Sequence, residues 1–139
     1  MLEANRRLIE KYYNELWNEW NFGLAEELLS PSVKFHGSVA ITVQGLAGFR
    51  EYMRLIRSAF PDFHNAIQEM VIDENRVAAR LTYRGTHQGE IFGVAPTGRA
   101  IQYDGLALFH IHDGKIASGY VLGNVIHLLA QLGIHVTAR

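Results

Sequence analysis

Near residue 63 the hydrophobic period of this chain changes from that of a helix to that of a strand, and the switch limits the folds open to it. Before it, Leu8, Ile9, Tyr12, Tyr13, Leu16, Trp17 and Trp20 form one wide apolar helical stripe. Arg6, Arg7, Glu10, Lys11, Asn14 and Glu15 take much of the other side. Asn21-Phe22-Gly23 ends this helix, and Leu24 to Leu29 predict a short second one, stopped by Ser30-Pro31. Val33 to Gly37 alternates like a short strand. A third helix, Leu46 to Phe60, buries Phe49, Tyr52, Met53 and Ile56, and Pro61 closes it.

After residue 63 the alternation is strand-like through 63–72 and 77–84, with a turn at Asp73-Glu74-Asn75. A loop over 85–99 with four glycines and Pro96 follows, then a strand over 100–111. Asp113-Gly114 between two apolar runs is a hairpin signal, and Val125, Leu128, Leu129 and Leu132 space a terminal helix. Helices first and a meander second predict an α+β domain, its helices packed on one face of a curved antiparallel sheet. No repeat or linker interrupts it, so residues 1–139 are expected to form a single domain.

The formal net charge of −1 and the lack of a Lys/Arg run argue against a nucleic-acid partner. There is no cysteine, so disulfides and thiolate metal sites are excluded. The N-terminus lacks the basic-then-apolar order of a signal peptide, and no apolar stretch approaches the ~20 residues of a membrane span. A cytoplasmic protein with no membrane partner is expected.

Seven histidines are the obvious reactive groups, but no spacing among them suits a metal, and none is expected. His112 at the turn, His135 in the tail and His64 at a strand start read as solvated. His36 and His87 are better placed for a pocket, where an imidazole moves a proton near neutral pH; the alternative for His36 is a polar edge residue. The glycines of 85–99 match no phosphate-loop pattern and read as a strand connection. Asn124, just before the last helix, suits an N-cap. Aromatic residues are plentiful, and a sheet curled around helices leaves an apolar cavity for a small hydrophobic molecule.

Together these features resemble the SnoaL-like polyketide cyclases of the nuclear-transport-factor-like superfamily. The resemblance rests on Tyr12-Tyr13 through Asn18, Phe60-Pro61-Asp62, Gly85 to Gly93, Pro96-Thr97-Gly98-Arg99, Asp113 to Ile116 and Gln131-Leu132-Gly133. It implies a cone-shaped sheet wrapped around the N-terminal helices, a homodimer or homotetramer, and a deep apolar pocket working without metal or cofactor. Characterised relatives close a ring by intramolecular aldol chemistry, and some hydroxylate aromatic polyketides instead. Cyclising members carry a Gln and a His on the strand before the hairpin turn and an acid/base Asp on the strand after it. By register from Asp113-Gly114 those positions are Gly105, Ala107 and Val121, none of which transfers a proton. A three-residue turn, Asp113-Gly114-Lys115, would set Ala107 opposite Val121 on one face.

The expected pocket is Tyr13, Trp17, His36, Phe49, Tyr52, Met53, Leu81, Tyr83, Ala107, Phe109, Tyr120, Val121 and Asn124. Acid/base work falls to His36, or to His87 and Tyr83 if the loop over 85–99 folds across the mouth. Two functions compete: isomerase, hydratase or hydroxylase-type chemistry on a hydrophobic, ring-bearing substrate, and a non-catalytic hydrophobic-ligand-binding protein that keeps the cyclase fold.

Overall fold

The computed structural model describes residues 2–135, so both ends of the 1–139 span read as one domain lie outside it. Helix α1 (Leu2–Lys11) continues into a π-helical segment, Tyr12–Trp17, sealed by the Asn18 N–H donating to the Tyr13 carbonyl at 2.9 Å. The wider turn lets Tyr12, Tyr13, Leu16 and Trp17 all bury themselves, as the apolar stripe requires. The stripe ends there: Trp20 has φ +53° and is only half-buried.

A 3₁₀ turn (Phe22–Leu24) and one turn of helix α2 (Ala25–Leu28) follow, and Leu29 already opens strand β1 (Leu29–His36). Pro31, expected to stop a helix, therefore lies within a strand. The chain tolerates it there because the ladder to the neighbouring strand slips between Leu29 and Lys34. Strand β2 (Thr42–Gln44), which the sequence pattern did not reveal, leads into α3 (Gly45–Ala59). Strands β3 (His64–Ile72), β4 (Arg76–Thr86), β5 (Ala100–His112) and β6 (Lys115–Gly123) then precede α4 (Val125–Gln131).

The six strands form one sheet in the order β2-β1-β6-β5-β4-β3. The expectation of a curved antiparallel sheet holds for four of the five strand pairs. The β1–β6 pair is parallel and the sheet is mixed, with antiparallel pairing elsewhere. The alternation of Val33 to His36 encodes a strand but not its direction. That is set by the first strand of the chain being laid beside the last.

Strand β5 alternates buried and exposed over its whole length. Ile101, Tyr103, Gly105, Ala107, Phe109 and Ile111 face the helices, joined by Val77, Ala79, Leu81 and Tyr83 of β4. Two asparagines fasten the end of the π-helical segment to β3. Asn18 Nδ2 donates to the Asn65 carbonyl at 2.9 Å, and the Asn65 backbone N–H donates to Asn18 Oδ1 at 2.8 Å.

The β5–β6 hairpin differs from its expected form. His112 pairs with Lys115 across a two-residue turn in which Asp113 and Gly114 both have positive φ. Such a turn alone would put Val121 on the face away from Ala107. A bulge restores the phase: Ile111 faces Ile116 while His110 faces Ser118, leaving Ala117 unpaired. Ala107 and Val121 are thus direct partners, as the three-residue turn would have made them.

The outer face carries an apolar row. Val71 pairs with Ala78, Ala78 with Leu108 and Leu108 with Tyr120, all exposed; beside them Leu106 pairs with Leu122, each 62% exposed. On the inner face, a Cβ at Gly119 would lie 3.1 Å from the rings of both Phe35 and Phe109. Gly119→Val should therefore destabilise the protein by about 1–3 kcal/mol, read from the urea midpoint. An unchanged midpoint would show that the two rings yield freely.

Candidate functional site

A central cavity lies between the π-helical segment, α3 and the concave face of the sheet. It is lined by Tyr12, Tyr13, Trp17, Phe35, Ser38, Tyr52, Phe63, Asn65, Tyr83 and Val121. Its open volume is about 20 Å³, room for about one water molecule. Four of its ten lining residues are tyrosines, and none is a carboxylate or an imidazole.

Two glycines let the tyrosines in. A Cβ at Gly105 would lie 2.7 Å from Tyr83 Cε2 and 2.9 Å from the Tyr83 hydroxyl, so the Tyr83 ring fills the space a side chain at 105 would need. A Cβ at Gly37 would likewise collide with the Tyr52 hydroxyl. Phe63 stacks on Tyr83 with ring centroids 5.7 Å apart, and Trp17 meets Tyr52 edge-on at 5.8 Å. Ser38 hydrogen bonds to the Tyr103 hydroxyl at 2.9 Å behind the cavity wall. The Tyr12 hydroxyl is fully buried and, among the described residues, has no hydrogen-bond partner; the Trp17 side chain is its polar neighbour.

Burial raises every one of these phenols. Desolvation pushes Tyr52 up to about 12, against hydrogen bonding from Ser38 and Val39. It holds Tyr12, Tyr13, Tyr83 and Tyr103 well above the usual phenol range, with mutual repulsion among prospective phenolates adding to it. At neutral pH they are hydrogen-bond donors and not bases.

Of the pocket residues expected from the sequence, Tyr13, Trp17, Tyr52, Tyr83 and Val121 line this cavity. Phe49, Met53, Leu81, Ala107 and Phe109 are buried in the surrounding core without lining it. His36, Tyr120 and Asn124 are elsewhere. Because Val33 and Phe35 point inward, the pleat turns His36 outward. Its ring stacks on Tyr120, 4.4 Å between centroids and 10° from parallel, and its Nδ1 lies 2.7 Å from Thr42 Oγ1. Asn124 caps α4, its Oδ1 accepting from the His127 N–H at 3.2 Å.

His87 is buried outside the cavity, its Nδ1 accepting from the Thr97 N–H at 3.1 Å. That bond assigns the proton to Nε2, which is buried without a partner among the described residues. The loop over 85–99 does not cross the mouth. It docks on the end of α3 through Gln88 and Gly89 N–H groups donating to the Ala59 carbonyl, and no residue of it lines the cavity. His64, half-buried at the start of β3, is held below the usual imidazole range by desolvation and by Arg84.

The sequence pocket omitted Phe35, Ser38, Phe63 and Asn65, as well as Tyr12. Phe35 and Asn65 were legible from alternation, in phase with Val33 and Phe63 respectively; nothing in the pattern marks Ser38. Among the described residues no group of three or more His, Asp or Glu is arranged to hold a metal, and no helix is long and apolar enough to cross a membrane.

A curved, unclosed mixed sheet packed on helices around such a cavity defines a single α+β fold class. Residues 7–132 match the SnoaL-like polyketide cyclase family, and the chain belongs to it. It is 30% identical over 118 residues to aklanonic acid methyl ester cyclase AcmA of Streptomyces galilaeus, covering 83% of this chain and 78% of that protein. Aklanonic acid methyl ester cyclase DauD of Streptomyces sp. strain C5 is 25% identical over 134 residues, 95% of this chain and 81% of that one. Among solved structures, AclR of Streptomyces galilaeus, described as a candidate hydroxylase, superposes with a TM-score of 0.84 at 27% identity, covering 100% of this chain and 91% of its own. IdmH of Streptomyces antibioticus, a candidate polyketide cyclase, gives 0.79 at 28%, covering 93% and 98%.

The raised phenols have an alkaline consequence. Unfolded tyrosines ionise near pH ~10, while the buried ones keep their protons, so stability falls as pH rises above that value. Tyrosinate absorbance at 295 nm from the five buried tyrosines should therefore appear together with loss of the fold. Gradual ionisation of these residues in a folded protein would contradict the cavity described.

Proposed function

We propose that this protein is a polyketide-tailoring enzyme that binds a hydrophobic, ring-bearing carbonyl compound in the central cavity and promotes its enolisation. The observation that carries the reading is the convergence of neutral phenols, Tyr13, Tyr52 and Tyr83, on one apolar cavity without a carboxylate or imidazole in its lining. Such donors stabilise negative charge that gathers on a carbonyl oxygen, and in a dry site they act more strongly than in water. A methylene between two carbonyls, as polyketides carry, then loses its proton to a water molecule at the parted lining, which passes it to bulk solvent, and the same solvent returns a proton to the product. The enolate re-protonates elsewhere, giving an isomer, or attacks a second carbonyl and closes a ring, the proton passing to the new alkoxide. Position 105 offers no side chain, and the Tyr83 hydroxyl occupies that space. Tyr83 is therefore assigned the donor role.

A substrate of several rings needs several hundred Å³, so the lining must part to admit it. The π-helical segment, which supplies Tyr12, Tyr13 and Trp17, is the wall assigned to move. The relatives' substrate, aklanonic acid methyl ester, is the first compound to assay, by chromatography and mass spectrometry for an isomer of unchanged mass. Tyr83→Phe should lower turnover about 10²-fold with little change in substrate affinity. Equal turnover would remove Tyr83 from the mechanism.

The absence of a side-chain base from the lining also favours a second reading, a binding protein that keeps the fold. A stoichiometric, unmodified ligand in native mass spectra, with no conversion of supplied substrate, would support that reading over the first.

We further propose that the apolar outer face covers a second copy of the chain. Four strands, β3 to β6, ~4.8 Å apart and about nine residues long at ~3.3 Å each, span roughly 570 Å², near the ~600 Å² per partner at the lower end of stable interfaces. Light scattering should then give twice the 15.7 kDa chain mass, falling to one chain in Leu106→Glu/Leu122→Glu. A monomeric wild type would reject this.

A further inference from the structure

A second concavity lies on the outer side of α3, built from Trp20, Phe22, Arg50, Met53, Arg54 and Arg57. At about 310 Å³ it is far roomier than the central cavity and reaches the size range of small-molecule sites. The two share a wall: Trp17 lines one, Trp20 the other, and their rings are 6.0 Å apart.

Arg50, Arg54 and Arg57 follow one another at helical spacing along one face of α3. The Arg50 guanidinium lies 4.2 Å above the Phe22 ring and that of Arg57 5.4 Å from the Trp20 ring. Stacking occupies the flat face of a guanidinium and holds it in place while leaving its in-plane N–H donors available. Arg54 is paired with Glu51 at 2.7 Å; among the described residues neither Arg50 nor Arg57 has an ion-pair partner. Three arginines less one glutamate leave the cleft at +2 in a chain whose formal net charge is −1.

The Trp20 backbone adds an independent observation. A bulky residue at φ +53° is strained, and it lies three residues beyond the end of the π-helical segment. It sets the indole at the edge of the core, half-buried against Trp17 on one side and beside Arg57 on the other.

We propose that this cleft is a second ligand site, for an organic anion with a flat apolar body and a carboxylate or phosphate head. Arg50 and Arg57 hold the head, and Trp20, Phe22 and Met53 supply the apolar surface for the body. Stacking fixes both guanidiniums before the ligand arrives, lowering the ordering cost of binding. The assignment does not depend on the chemistry of the central cavity.

Calorimetric titration of the whole chain at low salt tests it, with 1-hydroxy-2-naphthoate, its methyl ester, 1-naphthyl phosphate and inorganic phosphate as probes. The expected result is one site per chain for at least one of the two naphthyl anions, the tighter of the two identifying the head. The ester and inorganic phosphate should each bind at least tenfold more weakly. Arg50→Gln/Arg57→Gln should weaken the anion at least tenfold while the melting temperature stays within a few degrees. Arg50→Lys/Arg57→Lys should recover part of the affinity. Failure of both anions to bind, equal binding of ester and acid, or unchanged affinity in the Gln double variant would each overturn the proposal. The last outcome would place the naphthyl compounds in another site.

Discussion

The phase between β5 and β6 is the constraint on which the two faces of the sheet depend. In a pleated strand one residue of slip exchanges the faces. The two-residue turn at Asp113-Gly114, left to itself, would send Val121 and Gly119 outward and bring Tyr120 and Leu122 in. Ala117 absorbs the mismatch. Because of it, Gly119 lies beneath Phe35 and Phe109, Val121 faces Ala107, and Tyr120 meets His36 on the opposite side. The place of Val121 in the central cavity, and of Tyr120 and Leu122 in the apolar outer row, follows from that one unpaired residue.

Much of the architecture was legible in the sequence because it rests on periodicity. The thirteen residues of β5 alternate without a break, and α3 spans almost the residues its apolar spacing indicates. Where periodicity fell short, geometry without a local signature was responsible. The parallel β1–β6 pairing, the π-helical turn that buries Tyr12 and Tyr13 together, and the bulge at Ala117 leave no pattern of their own. His36 was misplaced for a different reason. Its reactivity suggested a pocket, while its position one residue after inward-facing Phe35 already placed it outside.

Several residues that carry the resemblance to the SnoaL-like family prove to be ties between segments. Asp62 accepts from the Thr86 N–H at 2.6 Å and the Thr86 hydroxyl at 2.7 Å, fastening the turn after α3 to the end of β4. Gln131 exchanges hydrogen bonds with the backbone of Gln102, at 2.8 and 2.7 Å, and Arg99 donates to the Gln131 carbonyl. Asn18 joins the π-helical segment to β3, and Thr97 anchors the His87 imidazole. Apart from the stretch Tyr12 to Asn18, which also supplies Tyr12, Tyr13 and Trp17 to the cavity, the motifs report the fold and the rest of the lining falls between them. This is why recognition of the family came readily while the lining of the site did not.

The packing of Tyr83 against Gly105 gives those two positions a joint fate. A long polar side chain on β5 and an aromatic phenol on β4 are rival tenants of one volume, and the backbone accommodates either but not both. A change at one position alone crosses an overfilled or a hollow intermediate. Descent from a chain with the other arrangement thus calls for paired replacement, and among relatives the occupants of these two sites should vary together. In this chain the phenol of β4 has taken the volume that a β5 side chain would need, while the register between the two strands stays unbroken.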